Sequence, residues 1–201
     1  RVCARRAAAA ASALGALCAV AEPFPAGTQP EFIEKSLVYG GWIAYNEKQF
    51  EYSGEISVRH IKEDEFDHGR TRHEGIMQSH ADYCLLMTQD AVPADAYLVE
   101  KLLDSFAVAD VAVAYARQLP DDNCRIIERL GRGFNYPEES RIKYKDDIEK
   151  IGVKAIFCSD VCAMYDRRRY IEQGGFIQKT IFNEDMIMAY RFLMTGYGVY
   201  Y

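Results

Sequence analysis

A chain of 201 residues, 49% apolar and 27% charged, is long enough to bury one sizeable core and has the composition of an ordinary globular domain. Its formal net charge of −6 argues against a chain whose main task is binding nucleic acid, since that affinity rests on Lys and Arg neutralising phosphates. The cysteines, Cys3, Cys18, Cys84, Cys124, Cys158 and Cys162, show neither CxxC nor Cys-His spacing, so they read as reduced thiols rather than a disulfide framework.

No run reaches the roughly 18 consecutive apolar residues of a membrane span. Residues 1–25 have an Arg-Arg start and an apolar stretch, as in a signal peptide. The stretch is mostly alanine, however, and no initiator methionine precedes it, so the reading favours a cytoplasmic protein over a secreted one. Residues 1–53 form a poorly patterned or aberrant N-terminal segment, with an Ala-rich helical stretch, a proline-containing loop and an aromatic-rich part. The readable domain spans 54–201, and both chain ends read as those of a fragment.

Within that domain, residues 56–61 alternate like a short strand, and 70–81 are helical apart from Gly75. Residues 83–87 are a short apolar run of the buried parallel type. The polar stretch Thr88-Gln89-Asp90 after it places Asp90 at a strand's carboxyl end, where open α/β sheets bind ligands. Asp90 there suits a divalent cation on a phosphate, or it caps the helix expected to begin at Pro93. That helix carries Leu98, Val99, Leu102, Leu103 and Phe106 on one face, and 111–116 form the next strand. The β-α-β-α-β order predicts a single α/β domain with a mostly parallel, Rossmann-like sheet flanked by helices.

Residues 117–150 are polar, loop-like and long for a plain connection, so they read as either a mobile lid or an acceptor-binding segment, carrying the aromatic pair Phe134 and Tyr136. A strand is expected over 155–158, followed by Ser159-Asp160, and a short helix over 166–173 ends at Gly174-Gly175. Arg167, Arg168 and Arg169 read as an exposed face of it, with anionic lipid head groups as a candidate contact. Asn183 caps a last helix carrying Met186, Ile187, Ala189, Tyr190 and Leu193, which stops at Gly196. If so, Glu184 and Asp185 lie in its first turn, where the helix dipole favours ionised carboxylates whether or not they do chemistry. Arg70 and Arg72 are either a solvated helix start or phosphate ligands. His60, His68, His73 and His80 do not make a zinc set.

Taken together, Phe66-Asp67-His68-Gly69-Arg70-Thr71-Arg72, Thr88-Gln89-Asp90-Ala91, Arg117-Gln118-Leu119-Pro120, Gly174-Gly175-Phe176 and Asn183-Glu184-Asp185 resemble, in order and spacing over residues 56–201, the inverting family 2 glycosyltransferases, in particular the rhamnosyltransferase-like branch. The resemblance implies a GT-A fold, here truncated, and a nucleotide-diphospho-sugar donor. It implies Mg²⁺ or Mn²⁺, and a saccharide or lipid-linked acceptor in cell-wall or polysaccharide biosynthesis. It also implies residue roles. Asp90 holds the metal, Gln89, Asp90, Arg70 and Arg72 face the donor, Asp185 is the base, and Glu184 stands beside it. The expected place of work is the cytoplasm, at the inner face of the plasma membrane, with peripheral membrane contact and no nucleic acid. The sequence departs from the family where Thr88 or Gln89 occupies the first acidic position of the metal motif, and where residues 1–53 lack the nucleotide-gripping segments. A nucleotidyltransferase would want a Gly-rich phosphate loop that is not visible. A non-catalytic sugar-binding remnant is the reading from a different class.

Overall fold

The computed structural model describes residues 66–201 except 89, 90, 92, 96, 109, 121–123 and 181, together with the backbone of strands between residues 14 and 61. Those strands are β1 (Leu14–Val20), β2 (Ser36–Gly40), β3 (Ile43–Asn46), β4 (Gln49–Tyr52) and β5 (Ser57–Ile61). Leu14–Val20 is a strand paired with its neighbours in the sheet, while the alanine run of residues 7–11, on which the expected helix rested, lies outside the described residues. Then follow α1 (His68–Gln78), β6 (Tyr83–Thr88), α2 (Leu98–Asp104) with a 3₁₀ turn (Ser105–Ala107), and β7 (Val111–Tyr115). The remainder is α3 (Ile126–Asn135), β8 (Ile142–Lys143), α4 (Asp147–Ile151), α5 (Val153–Ile156), β9 (Cys162–Asp166), α6 (Arg167–Glu172), α7 (Glu184–Met194) and β10 (Gly198–Tyr200).

The strands form a sheet in the order β5-β2-β1-β6-β9-β7-β10-β8, with β3 and β4 as a separate hairpin. The sheet is mixed, not mostly parallel. β1 runs parallel to β6 and β10 parallel to β7, but β9 lies antiparallel between β6 and β7, opposing Ala163 to Leu86 and Met164 to Ala114. The β-α-β pattern correctly predicts that β6 and β7 point the same way. It carries no information about a strand from later in the chain that inserts between them.

Period-two alternation gives the sheet two apolar faces. Cys84, Leu86, Val113, Tyr115, Ala163 and Tyr165 pack under Ile76 of α1, Tyr170 of α6, and Met188 and Phe192 of α7. Leu85, Ala114 and Met164 pack on the other face beneath Leu98, Val99, Leu102, Leu103 and Phe106, the stripe expected from sequence. The helix starts at Leu98, not Pro93, because the Asp95 carboxylate accepts a hydrogen bond from the Tyr97 amide (2.8 Å) and holds a turn just ahead of it.

Residues 117–150 are not a loop: they contain α3, β8 and α4. The aromatic pair expected there is split, with Phe134 exposed and Tyr136 buried in the core. Nor are residues 155–158 a strand; α5 ends within that run, at Ile156, and the strand is β9. A short apolar run does not declare its conformation. Here the buried ammonium of Lys143 decides, donating to the carbonyls of Phe157 and Lys154 (3.5 Å) and to the Tyr115 hydroxyl (3.0 Å), which satisfies the carbonyls that α5 leaves open.

On α6, the Asp166 carboxylate caps the helix by accepting from the Arg169 amide (2.9 Å). The arginine triplet does not form one exposed face. Arg167 donates to the Ile76 carbonyl (3.1 Å) and Arg169 to the Val111 carbonyl, while Arg168 lies in solvent and pairs with Glu172 (2.6 Å). Two of the three guanidiniums are thus turned onto backbone carbonyls of the domain.

Candidate active site

The carboxyl ends of β6 and β7 and the amino end of β9 meet at one edge of the sheet. The Thr88 amide donates to the Val161 carbonyl (3.1 Å) and the Ala116 amide to the Cys162 carbonyl (2.9 Å). The segment 159–161 is thereby wedged between two strand ends. Gln118 leans onto it with its amide on the Ser159 hydroxyl (3.0 Å) and accepts from the Arg132 guanidinium (2.6 Å).

Two helix starts converge on the same edge. α1 begins where the Asp67 carboxylate accepts from the Arg70 amide (2.6 Å) and, with its other oxygen, from the Lys179 amide (2.9 Å). This ties α1 to the loop that leads into α7. Gly69 allows that approach, since a Cβ there would overlap the Ile177 carbonyl. α7 begins at Asn183, which stands at the N-cap position in the left-handed conformation (φ 67°) and makes no side-chain cap bond. The Asp185 carboxylate instead accepts from the Met186 amide (2.7 Å) and from the Asp160 amide (3.2 Å), which pins the first turn of α7 to the sheet edge.

The centre of the cluster is charged and dry. The Arg72 guanidinium, 6% exposed, donates to the Glu184 carboxylate, 112 residues away in sequence, and lies 3.7 Å from Asp160 Oδ2. The Tyr165 hydroxyl donates to Asp160 Oδ1 (2.6 Å), whereas Oδ2 has no hydrogen-bond partner. Burial pushes the Asp160 carboxyl up to about 7, with the Arg72 charge opposing and the Asp185 charge adding to the rise. Asp185, half-buried, is also raised above the ordinary carboxylate range by burial and by the charge of Glu184, against the two amides and Arg72. A carboxylate with raised proton affinity at the open edge of a sheet can accept a proton from a bound hydroxyl.

Of the residues singled out from sequence, the fold brings Arg72, Glu184 and Asp185 into one cluster. Arg72 is turned inward onto Glu184 instead of outward. Arg70 is half-buried on α1 nearby. Gln89 and Asp90 lie outside the described residues, directly after Thr88, which is at this edge. Asp160 and Tyr165 are additions that sequence reasoning missed. Asp160 was visible only as a polar residue after an apolar run, and nothing local says that Arg72 would lie against it. Among the described residues no three His, Cys, Asp or Glu side chains converge as a metal would require. The orphaned oxygen of Asp160 already faces the Arg72 cation, so the described residues do not by themselves make a site for a divalent ion.

Two clefts flank the edge, one of about 250 Å³ with Phe134, Pro137, Arg141 and Lys154 in its walls and one of about 520 Å³ with Asp95, Lys101, Arg117 and Glu138. Tyr115 and Tyr201 line both. A mixed sheet covered by helices on both faces, with an acidic cluster at its strand ends, makes an α/β domain whose candidate site lies at the strand ends. Residues 42–174 match the model of glycosyl transferase family 2, and the chain belongs to that family, with a single GT-A-like α/β domain. It is similar to the O-antigen chain rhamnosyltransferase RfbN of Salmonella typhimurium, 37% identical over 147 residues, covering 73% of this chain and 47% of the relative. It is also similar to the O-antigen chain rhamnosyltransferase WbaN of Salmonella anatum, 36% identical over 151 residues, covering 75% and 47%. The chain thus spans about half the length of these relatives.

Proposed function

We propose that this domain transfers a sugar, rhamnose by analogy with the named relatives, from a nucleotide-diphospho donor to a saccharide or lipid-linked acceptor, with inversion at the anomeric carbon. Family membership favours this over a nucleotidyltransferase, and the intact carboxylate cluster favours it over a non-catalytic sugar-binding remnant. The observation that carries the mechanism is Asp185, held at the strand-end edge by the Asp160 amide and raised in proton affinity by burial.

Asp185 takes the proton of the acceptor hydroxyl as that oxygen bonds to the anomeric carbon from the side opposite the diphosphate, which leaves with the electrons of the broken C–O bond. Glu184, fixed by Arg72, is a positioning residue that keeps the start of α7 and the acceptor in register. Arg70 is the proposed diphosphate contact. Arg72 could serve as one only by exchanging Glu184 for a phosphate. Asp90, with Gln89 beside it, is the proposed holder of Mg²⁺ or Mn²⁺, which when bound would neutralise charge on the diphosphate. The acceptor enters on the side of residues 117–150, where Phe134 lines a cleft. The proposed location is the cytoplasm at the inner membrane face. Free thiols at Cys84, Cys124, Cys158 and Cys162 suit a reducing compartment, and no helix among the described residues is long and apolar enough to cross a membrane.

In the full-length enzyme, Asp185→Asn should lower kcat by about 10²–10⁴-fold with donor binding retained. Near-normal turnover by the folded variant refutes the assignment of the base, and a product that keeps the donor's anomeric configuration refutes inversion. Asp90→Asn should weaken Mn²⁺ binding read directly by calorimetry, and unchanged binding removes Asp90 from the metal.

A further inference from the structure

The planar peptide group that joins Ser159 to Asp160 is the link between the sheet edge and the proposed base. Its N–H donates to Asp185 Oδ2 (3.2 Å) and its carbonyl accepts from the Cys162 amide (3.3 Å). Both bonds lie at or beyond the long end of the ordinary N–H to O range, so by themselves they hold the plane of this peptide loosely. The side chains on either side of it set its direction. On one side the Asp160 carboxylate accepts from the buried Tyr165 hydroxyl (2.6 Å). On the other the Ser159 hydroxyl accepts from the Gln118 side-chain amide (3.0 Å).

Gln118 has no freedom in that contact. The Arg132 guanidinium donates to its Oε1 (2.6 Å), and a guanidinium has only donors, so the amide must turn its oxygen to Arg132 and its NH2 group to Ser159. Arg132 is in turn held by Glu128 through both Nε (3.0 Å) and Nη2 (2.9 Å), which fixes the plane of its fork. A line of contacts therefore runs from α3 through Gln118 and Ser159 to the amide that carries Asp185. Tyr136, at the end of α3, belongs to the same neighbourhood. Burial pushes its hydroxyl up to about 12, with the Ser159 side chain opposing and the Asp185 charge adding to the rise.

We propose that Gln118 is a positioning residue for Asp185: oriented by Arg132, it holds Ser159 so that the Asp160 amide points at the carboxylate. The role in catalysis rests on Asp185 being the base. Through the same contacts the seating of α3, which buries none of its own residues, bears on the geometry of that carboxylate. The charged and titratable groups facing Asp185 are Glu184 beside it, Arg72 on α1, Asp160 and Cys158 at the bend, Tyr165 on β9, and Tyr136. Gln118 is uncharged and Gln118→Ala alters none of them, so the variant acts on Asp185 through the amide. That amide favours the ionised carboxylate, and loosening it raises the proton affinity of Asp185.

The first measurement needs no substrate. In the full-length enzyme the Asp185 carboxyl is titrated by carbon-13 NMR, with Asp185→Asn identifying its signal, and exchange of the Asp160 amide is followed beside that of the β6 amides. Gln118→Ala should move the Asp185 midpoint up by about one pH unit, the scale of one hydrogen bond to a charged acceptor. Exchange at Asp160 should quicken by about tenfold while the β6 amides keep their rates. In turnover the variant should lower kcat by about tenfold at unchanged donor KM, with the acid limb of the pH profile moving up alongside the NMR midpoint. Ser159→Ala should reproduce these changes, which keeps the test open if Gln118→Ala folds poorly, and the double variant should be no worse than either single one, since the two residues make one contact. An unmoved Asp185 midpoint in both single variants, or losses that add in the double variant, overturns the proposal whatever the role of Asp185. A moved midpoint together with normal turnover by Asp185→Asn refutes the base instead, and the positioning role in catalysis falls with it.

Discussion

Arg72→Met is the sharpest perturbation of the site, because it removes the cation that, among the described residues, stands between Glu184 and Asp160. The guanidinium is 6% exposed and its partners 5% and 2%, so the variant leaves two carboxylates in a dry environment with no counter-charge. Breaking a buried ion pair from one side costs about 3–5 kcal/mol. That is a large share of the roughly 5–15 kcal/mol that holds a domain folded. For a domain of this size each kcal/mol moves the thermal midpoint by about 2–4 °C, so a fall of roughly 6–20 °C is expected. The loss should shrink at low pH. Without the opposing Arg72 charge the Asp160 carboxyl, already raised by burial, rises further, so its protonated form spares the fold, and stability is lost as pH rises. Urea titration followed by circular dichroism at pH 7.5 and pH 5.5 measures both effects. Adding Glu184→Gln to Arg72→Met should recover more than about 1 kcal/mol as a coupling energy, since one stranded charge is gone. A loss below about 1 kcal/mol for Arg72→Met, or strict additivity in the double variant, would show that the cluster is solvated and that Arg72 does not organise the start of α7.

Three further outcomes follow from particular contacts. Asp160 has a folded-state value of about 7 against an ordinary 3.8, so the fold binds its proton more tightly than the unfolded chain does; stability from this group should fall by up to about 1.4 kcal/mol per pH unit between roughly pH 4 and pH 7, and Asp160→Asn should abolish that slope in urea titrations. Tyr136→Ala should cost about 3–5 kcal/mol, whereas Phe134→Ala should stay within about 0.5 kcal/mol and raise acceptor KM more than donor KM; equal stabilities for the two would contradict the split of this pair between core and surface. Gly175→Ala should lower the urea midpoint by the equivalent of about 1–3 kcal/mol, because Gly175 has φ 71° and a Cβ there would overlap the His73 ring, which is held against the Tyr170 hydroxyl (3.0 Å); an unchanged midpoint would mean that the loop relaxes freely.

Local pattern was sufficient wherever one segment answers to one face of the core. The run of residues 83–87 became β6, residues 111–116 became β7, the Leu98 to Phe106 stripe packed beneath Ala114 and Met164, and Gly174-Gly175 and Gly196 ended their helices with positive φ. The carboxylates of Glu184-Asp185 were legible too, as an acidic pair in the first turn of a helix, and the motif order alone pointed to the family. What the sequence by itself determined, then, is the set of strands and helices whose hydrophobic period is unambiguous and the chemistry carried by contiguous residues. The tertiary structure alone decided the rest. It placed β9 antiparallel between β6 and β7, because strand order is settled by packing and not by local period. It turned residues 153–156 into α5, because the Lys143 ammonium is there to take the freed carbonyls. It buried Asp160 beside Arg72 and Glu184, a contact among three segments whose separation in sequence leaves no local trace. And it set α3 with its apolar face outward, since an amphipathic helix has two faces and only its surroundings determine which of them is covered.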